Sequence, residues 1–313
     1  MTKFVRRCVA ELRKFFSNAS DWVVAQFILA LLFLLRLLPM KTALNVMGRL
    51  ARIVGPRTKR HTLAMKNLEM AFPEKSIEER QEIAMEMWVN MARLAAEYVY
   101  LDKISAFDPE SDENSNIEVV GQEHFIDLCE NKRPFIVFTI HSGNFELLPI
   151  ISQRFNLSVS ALFRPPNNKY IAEKVFAARG EHMKDLVAST AGAAWNLARK
   201  LDSGGGVGML VDQKFSKGGE TQFFGHTVKT NPLLAKLARQ YKCDVFPARC
   251  IRLPEGRFRL ELEPAVELPK GDNGEIDINA TSQMLNDKVE EWVREYPGQW
   301  QWFHDRWRIK HLL

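Results

Sequence analysis

Arg133-Pro134-Phe135-Ile136-Val137-Phe138-Thr139-Ile140-His141-Ser142-Gly143-Asn144-Phe145-Glu146 is the stretch that decides how the rest of the chain is read. Its short apolar run, rich in β-forming residues and opened by Pro134, predicts a buried strand that ends abruptly in a polar His-Ser-Gly-Asn turn. Phe145 to Ile151 then predicts a helix, with Ser142 or Asn144 as its cap. A histidine therefore stands where a buried strand surfaces, and a carboxylate lies in the first turn of the next helix. His141 is the candidate general base, and Glu146 the carboxylate that would fix its tautomer and stabilise the imidazolium formed on proton uptake. The two are too far round to stack on one helix, so the turn must bring them together, and Gly143 permits the backbone angles this needs.

Outward from this motif the chain alternates strands and helices. Ile117 to Gly121 predicts a strand and Glu123 to Glu130 a helix before the opening strand. After it come strands at Val159 to Phe163 and Val207 to Val211, and helices at Tyr170 to Gly180, Thr190 to Leu201, Leu233 to Tyr241 and Asn279 to Tyr296. Asp244 to Leu253 and Arg257 to Glu263 read as a hairpin. This pattern predicts an α/β fold with a central mixed, largely parallel sheet flanked by helices. Three buried strands end in polar residues, at His141, at Arg164 and at Asp212, and ligand sites in open α/β sheets gather at such carboxyl ends. The planar fork of Arg164 suits a phosphate or a sugar-acid carboxylate, and equally a structural salt bridge. Asp212 either holds the site together or touches substrate; Asn144 and Gln213 join Arg164 and Asp212 as candidate substrate-binding residues. Ser142 reads as a cap and not a nucleophile. Gly204-Gly205-Gly206 lacks the Gly-Lys-Ser/Thr of a phosphate loop, so it is a turn.

The N-terminal part is of another character. Residues 1–21 are basic and partly amphipathic, and residues 22–38, from Trp22 to Leu38, form an apolar run at the short end of the roughly 17–25 residues that span a bilayer. A membrane anchor is expected there, the alternative being a buried core helix; a cleaved signal is disfavoured because no small-x-small site follows. Residues 41–313 read as one domain, its first part basic through Arg49, Arg52, Arg57, Lys59, Arg60 and Lys66, which would favour anionic headgroups. Ser76-Ile77-Glu78-Glu79 has the form of a capping box opening a helix that runs to about Tyr100. Glu97, among apolar and aromatic neighbours on that helix, is read as a paired structural carboxylate. A net charge of +5 and pI near 9.0 favour an anionic partner; no recognition motif supports nucleic acid. Cys8, Cys129, Cys243 and Cys250 form no close pair and read as reduced thiols facing the cytoplasm. With seven scattered histidines they give no metal site, and no cofactor is expected. Trp300, Trp302, Phe303 and Trp307 form an aromatic cluster suited to a packed core or to a membrane interface.

His141-Ser142-Gly143-Asn144-Phe145-Glu146 resembles the His-x4-Asp/Glu motif of the glycerolipid acyltransferase superfamily, and more closely its bacterial lipid A late-acyltransferase branch. Other segments in the same order resemble that branch: Asn67 to Pro73, Phe163 to Asn167, Gly208 to Gln213, Phe223-Phe224-Gly225 with Thr230-Asn231-Pro232, and Tyr296 to Trp307. Phe303-His304-Asp305-Arg306 departs from the family's more usual Leu-His-Arg-Arg. The resemblance implies an O-acyltransferase of the bacterial inner membrane, single-pass or monotopic, with its catalytic domain facing the cytoplasm. It would move a fatty acyl group from acyl carrier protein to a hydroxyl of a Kdo-bearing lipid A precursor, in contact with membrane lipids. The alternatives are an acyl-CoA-dependent enzyme acting on another glycolipid or lysophospholipid, and a non-catalytic lipid-binding protein.

Overall fold

The computed structural model describes residues 3–107, 115–163, 168, 170–173, 186–188 and 192–309. Nine strands occur among them: β1 (Ile117–Val120), β2 (Phe135–Thr139), β3 (Val159–Phe163), β4 (Leu186–Ala188), β5 (Gly206–Leu210), β6 (Gly219–Phe223), β7 (His226–Thr230), β8 (Asp244–Arg252) and β9 (Phe258–Leu262). Seven build one sheet in the order β1-β9-β8-β2-β5-β3-β4, while β6 and β7 form a separate antiparallel hairpin. In the large sheet only β8 and β9 pair antiparallel; the other pairings are parallel. The expected mixed, largely parallel sheet is therefore the one observed. β4 and the β6–β7 hairpin are strands that the sequence pattern does not predict.

The opening motif lies at the centre of this sheet, β2 being flanked by β8 and β5. Strand alternation divides its side chains between two covered faces. Ile136, Phe138 and Ile140 are at most 2% exposed on one face, in a core that also holds Val207, Trp292, Trp300 and Trp302. Phe135 points the other way, into a second core with Phe125, Leu147, Ile151, Phe246 and Leu260. The predicted Pro134 to Ile140 run is thus sandwiched, which is why it contains so few polar residues.

The helices that matter here are α1 (Lys3–Arg36), α2 (Met40–Val54), α3 (Lys59–Ala71) and α4 (Ile77–Glu97), followed by the short α5 (Leu101–Ile104). Next come α6 (Gln122–Glu130), α7 (Leu147–Arg154), α8 (Ala193–Asp202), α9 (Leu233–Tyr241) and α10 (Ile278–Glu295). The capping box is formed: Glu79 N–H donates to Ser76 Oγ at 3.1 Å, and Ser76 N–H to Glu79 Oε2 at 2.7 Å. α1 runs unbroken through the boundary at residues 21 and 22. Within it Asn18–Arg36, mean hydropathy 1.7, is long and apolar enough to cross a membrane by length and composition. Its C-terminal end is bolted to the domain. Arg36 forks onto Asp102 at 2.8 and 2.9 Å and reaches Val99 O, and the Tyr100 hydroxyl donates to Leu35 O and, at 3.0 Å, to Leu38 O.

Candidate active site

Register decides what stands beside the histidine. Thr139 of β2 pairs with Leu210 of β5, and Val211 N–H donates to Thr139 O at 3.1 Å. Two residues beyond that pairing on each strand are His141 and Asp212. The Asp212 carboxylate accepts from His141 N–H through Oδ2 at 3.0 Å and meets His141 Nδ1 through Oδ1 at 2.8 Å. Trp300 Nε1–H donates to the same Oδ2 at 2.8 Å. Burial pushes the Asp212 carboxyl upward, but the imidazole and these three hydrogen bonds outweigh it and hold the carboxyl down to about 2. With Nδ1–H given to an anionic carboxylate, the lone pair is on Nε2. Gln213 Nε2 lies 3.2 Å from that nitrogen.

His141 opens onto a cavity of about 340 Å³ beneath β2, β3 and β5, on the side covered by α7. Val137, Thr139 and His141 contribute its β2 wall, with Leu162, Met209 and Leu148 among the apolar groups around them. Glu146, 6% exposed, also lines this cavity. The sequence thus identified two residues that share a cavity, while the carboxylate hydrogen-bonded to Nδ1 is Asp212, contributed by a different strand. Asn144 turns away from the cavity: it is fully buried and its Nδ2 donates to Glu97 Oε2 at 2.9 Å. Of the residues expected to bind substrate, Asp212 hydrogen-bonds His141 and Trp300, and Asn144 donates to Glu97 while its buried Oδ1 has no hydrogen-bond partner. Arg164 lies outside the described residues.

A C-terminal strap, Trp300 to Trp307, holds the Asp212 loop. His304 Nε2 accepts from Lys214 N–H at 3.0 Å, Asp305 pairs with Lys214 Nζ at 2.7 Å, and Arg306 Nη1 donates to Gln213 O at 3.0 Å. Burial pushes the His304 imidazole down to about 4, so it is neutral and able to accept. Arg306, 1% exposed, is lowered to about 10 by burial, with the negative Asp212 opposing that shift. Trp300, Trp302 and Trp307 are 1%, 0% and 8% exposed, so the aromatic cluster is core. The unanticipated hairpin completes it: Phe223 and Phe224 pack against Trp300, Trp302 and Trp307. The strap's role was hidden in the sequence because its contacts with the Asp212 loop span about ninety residues.

A partly buried imidazole with a fixed tautomer, on the wall of an apolar cavity, is a group that can take a proton from a hydroxyl. A family model described as bacterial lipid A biosynthesis acyltransferase matches residues 11–309. A lipid A biosynthesis acyltransferase of Haemophilus influenzae is 22% identical over 277 residues, covering 87% of this chain and 83% of that protein. The lipid A biosynthesis lauroyltransferase of Escherichia coli is 24% identical over 295 residues, covering 92% and 89%. The palmitoleoyltransferase of the same organism is 23% identical over 256 residues, covering 80% of each.

Proposed function

The chain belongs to the bacterial lipid A biosynthesis acyltransferases, and from that membership we propose that it moves a fatty acyl group from acyl carrier protein to a hydroxyl of a Kdo-bearing lipid A precursor. The observation that carries this reading is the His141–Asp212 couple at the mouth of an apolar cavity. The acyl chain lies in the cavity with its thioester carbonyl at the mouth. The acceptor hydroxyl displaces the exposed Gln213 amide from His141 Nε2, gives its proton to that nitrogen, and its oxygen attacks the carbonyl carbon. Asp212 balances the imidazolium, and Glu146 adds a second carboxylate on the cavity wall. Collapse of the tetrahedral intermediate breaks the carbon–sulfur bond, and the thiolate leaves with the proton returned by the imidazolium. No acyl-enzyme forms, and Ser142 stays in its backbone bridge to Trp300.

Arg164 follows β3 and is assigned to an anionic group of the acceptor, where its fork suits a phosphate or sugar-acid carboxylate. Asn18–Arg36 is assigned as the membrane contact, holding the domain at the cytoplasmic face of the inner membrane. Mass spectrometry of lipid A from cells lacking the chain tests the function. The expected result is loss of one secondary acyl chain, restored by the wild-type chain and not by His141→Ala. An unchanged lipid A profile overturns the reading, and transfer in vitro from acyl-CoA alone overturns the donor.

A further inference from the structure

Behind the histidine turn lies a buried ionic assembly that the proton transfer does not itself use. Glu97, the last residue of α4, is fully buried. Both its oxygens are taken by Arg252, the last residue of β8: Nη1 on Oε1, and Nη2 on Oε2 at 2.9 Å. Asn144 shares that same Oε2. The main chain of Arg252 is clasped in turn by Gln299, whose Oε1 accepts from Arg252 N–H at 2.8 Å and whose Nε2 donates to Arg252 O at 2.9 Å. Gly143 N–H donates to Gln299 O at 3.3 Å. The second and third residues after His141 are thus both fastened to one assembly.

The assembly also faces the other way. Tyr98, next to Glu97, lines the cavity. Val99, Tyr100 and Asp102 hold the end of α1 through Arg36, Leu35 and Leu38. Residues 97–102 therefore touch the histidine turn, the cavity and the helix that carries the candidate span. An ion pair taken out of water contributes little net stability compared with well-packed apolar residues of similar volume. What a bidentate guanidinium–carboxylate pair does supply is direction, because two parallel hydrogen bonds fix both groups in a plane.

We propose that Glu97 and Arg252 are positioning residues for His141, acting through Asn144 to set the imidazole against the cavity and the end of α1. This rests on the reading of His141 as the base. The test uses the full chain in detergent with the donor and acceptor pair on which the wild type turns over. Glu97→Met combined with Arg252→Met replaces the pair by apolar groups. The expected outcome is a folded variant whose melting temperature falls modestly because Asn144 Nδ2 loses its acceptor, with an unchanged KM for donor and a kcat lower by about 100-fold, the scale on which a misplacement of about 1 Å acts. A folded double variant with wild-type kcat overturns the proposal, since a merely structural pair is replaceable in this way. If the double variant does not accumulate, Arg252→Lys keeps the charge but loses the fork; positioning predicts a kcat loss at constant KM, and an unchanged kcat overturns it. His141→Ala separates the two ideas. If that variant is active, the base assignment falls; if it is inactive while the double variant is fully active, only the positioning proposal falls.

Discussion

At the scale of single residues, and with His141 proposed as the base, Asp212 is the group on which that chemistry would turn. Replacement by Asn leaves an oxygen for the His141 and Trp300 N–H donors but puts an amide N–H₂ against Nδ1. The ring must then accept there, which moves its proton to Nε2 and removes the base. Asp212→Asn is expected to lower kcat by roughly 1,000- to 10,000-fold with little change in melting temperature, as in carboxylate–imidazole couples generally; steady-state kinetics and a thermal melt check this. His304 has a pH-dependent effect on stability. Its folded-state value near 4 lies below the ordinary 6.5, so as pH falls the unfolded chain binds the proton first and the folded state loses ground. The His304 contribution should fall by about 1.4 kcal/mol per pH unit from roughly 6.5 to 4, with no such slope above pH 7, and below pH 4 the loss continues through Asp212, whose folded value is about 2. In His304→Gln, whose amide oxygen can still accept from Lys214 N–H, denaturant titrations should show a shallower slope, the remainder including His61, which burial also lowers. His141 and Asp212 are legible in the sequence as polar residues at the ends of buried strands, and Glu146 as a carboxylate at the start of the next helix. Which carboxylate meets Nδ1 is not, because that depends on β2 and β5 being neighbours, and strand order is set by the packing of the whole sheet.

At the scale of elements, the site depends on one strand outlasting its neighbour. The first half of β8 pairs with β2 from Phe135 to Phe138, and its second half pairs with β9 as far as Arg252. The overhang forms a wall on which the turn after β2 rests. Gly143 has φ +57°, and a Cβ there would lie 2.1 Å from Cys250 O in that wall. Gly143→Ala therefore combines left-handed backbone strain of about 1–2 kcal/mol with a backbone collision. A lower melting temperature and loss of transfer activity are expected together, and retention of both would show that the turn can lift off β8 without consequence. The sequence located this turn because apolar alternation ends sharply at His141. It did not locate β6 and β7, whose Gly-Glu-Thr-Gln-Phe strand is short and polar and whose turn uses Phe224 and Gly225, both at positive φ, in place of an Asn-Gly signal. β4 has three residues and little periodicity to read.

At the scale of the whole molecule, apolar surface gathers at one end. Phe27, Phe33, Leu34 and Leu37 are each more than half exposed, and α2 adds Val46, Leu50, Ile53 and Val54 on its outer side. Arg49, Arg52 and Arg57 are exposed along the same stretch, the arrangement of a helix lying in an interface. Leu50→Asp with Ile53→Asp should release the chain partly from vesicles containing anionic phospholipid while leaving its fold unchanged by circular dichroism. Co-sedimentation equal to wild type would show that α1 alone holds it there. The basic run and the apolar run were visible in composition; that α1 is one helix docked at its end was not, since the docking partners lie more than sixty residues away. That docking has a kinetic meaning. With Arg36 and Leu38 bolted to the domain and α2 beginning at Met40, the end of the candidate span is joined to the domain with no flexible tether among the described residues. On the membrane reading, the enzyme meets its acceptor by diffusion in two dimensions, so turnover follows the mole fraction of acceptor in the surface. Diluting that lipid with inert detergent at constant bulk concentration should slow the reaction.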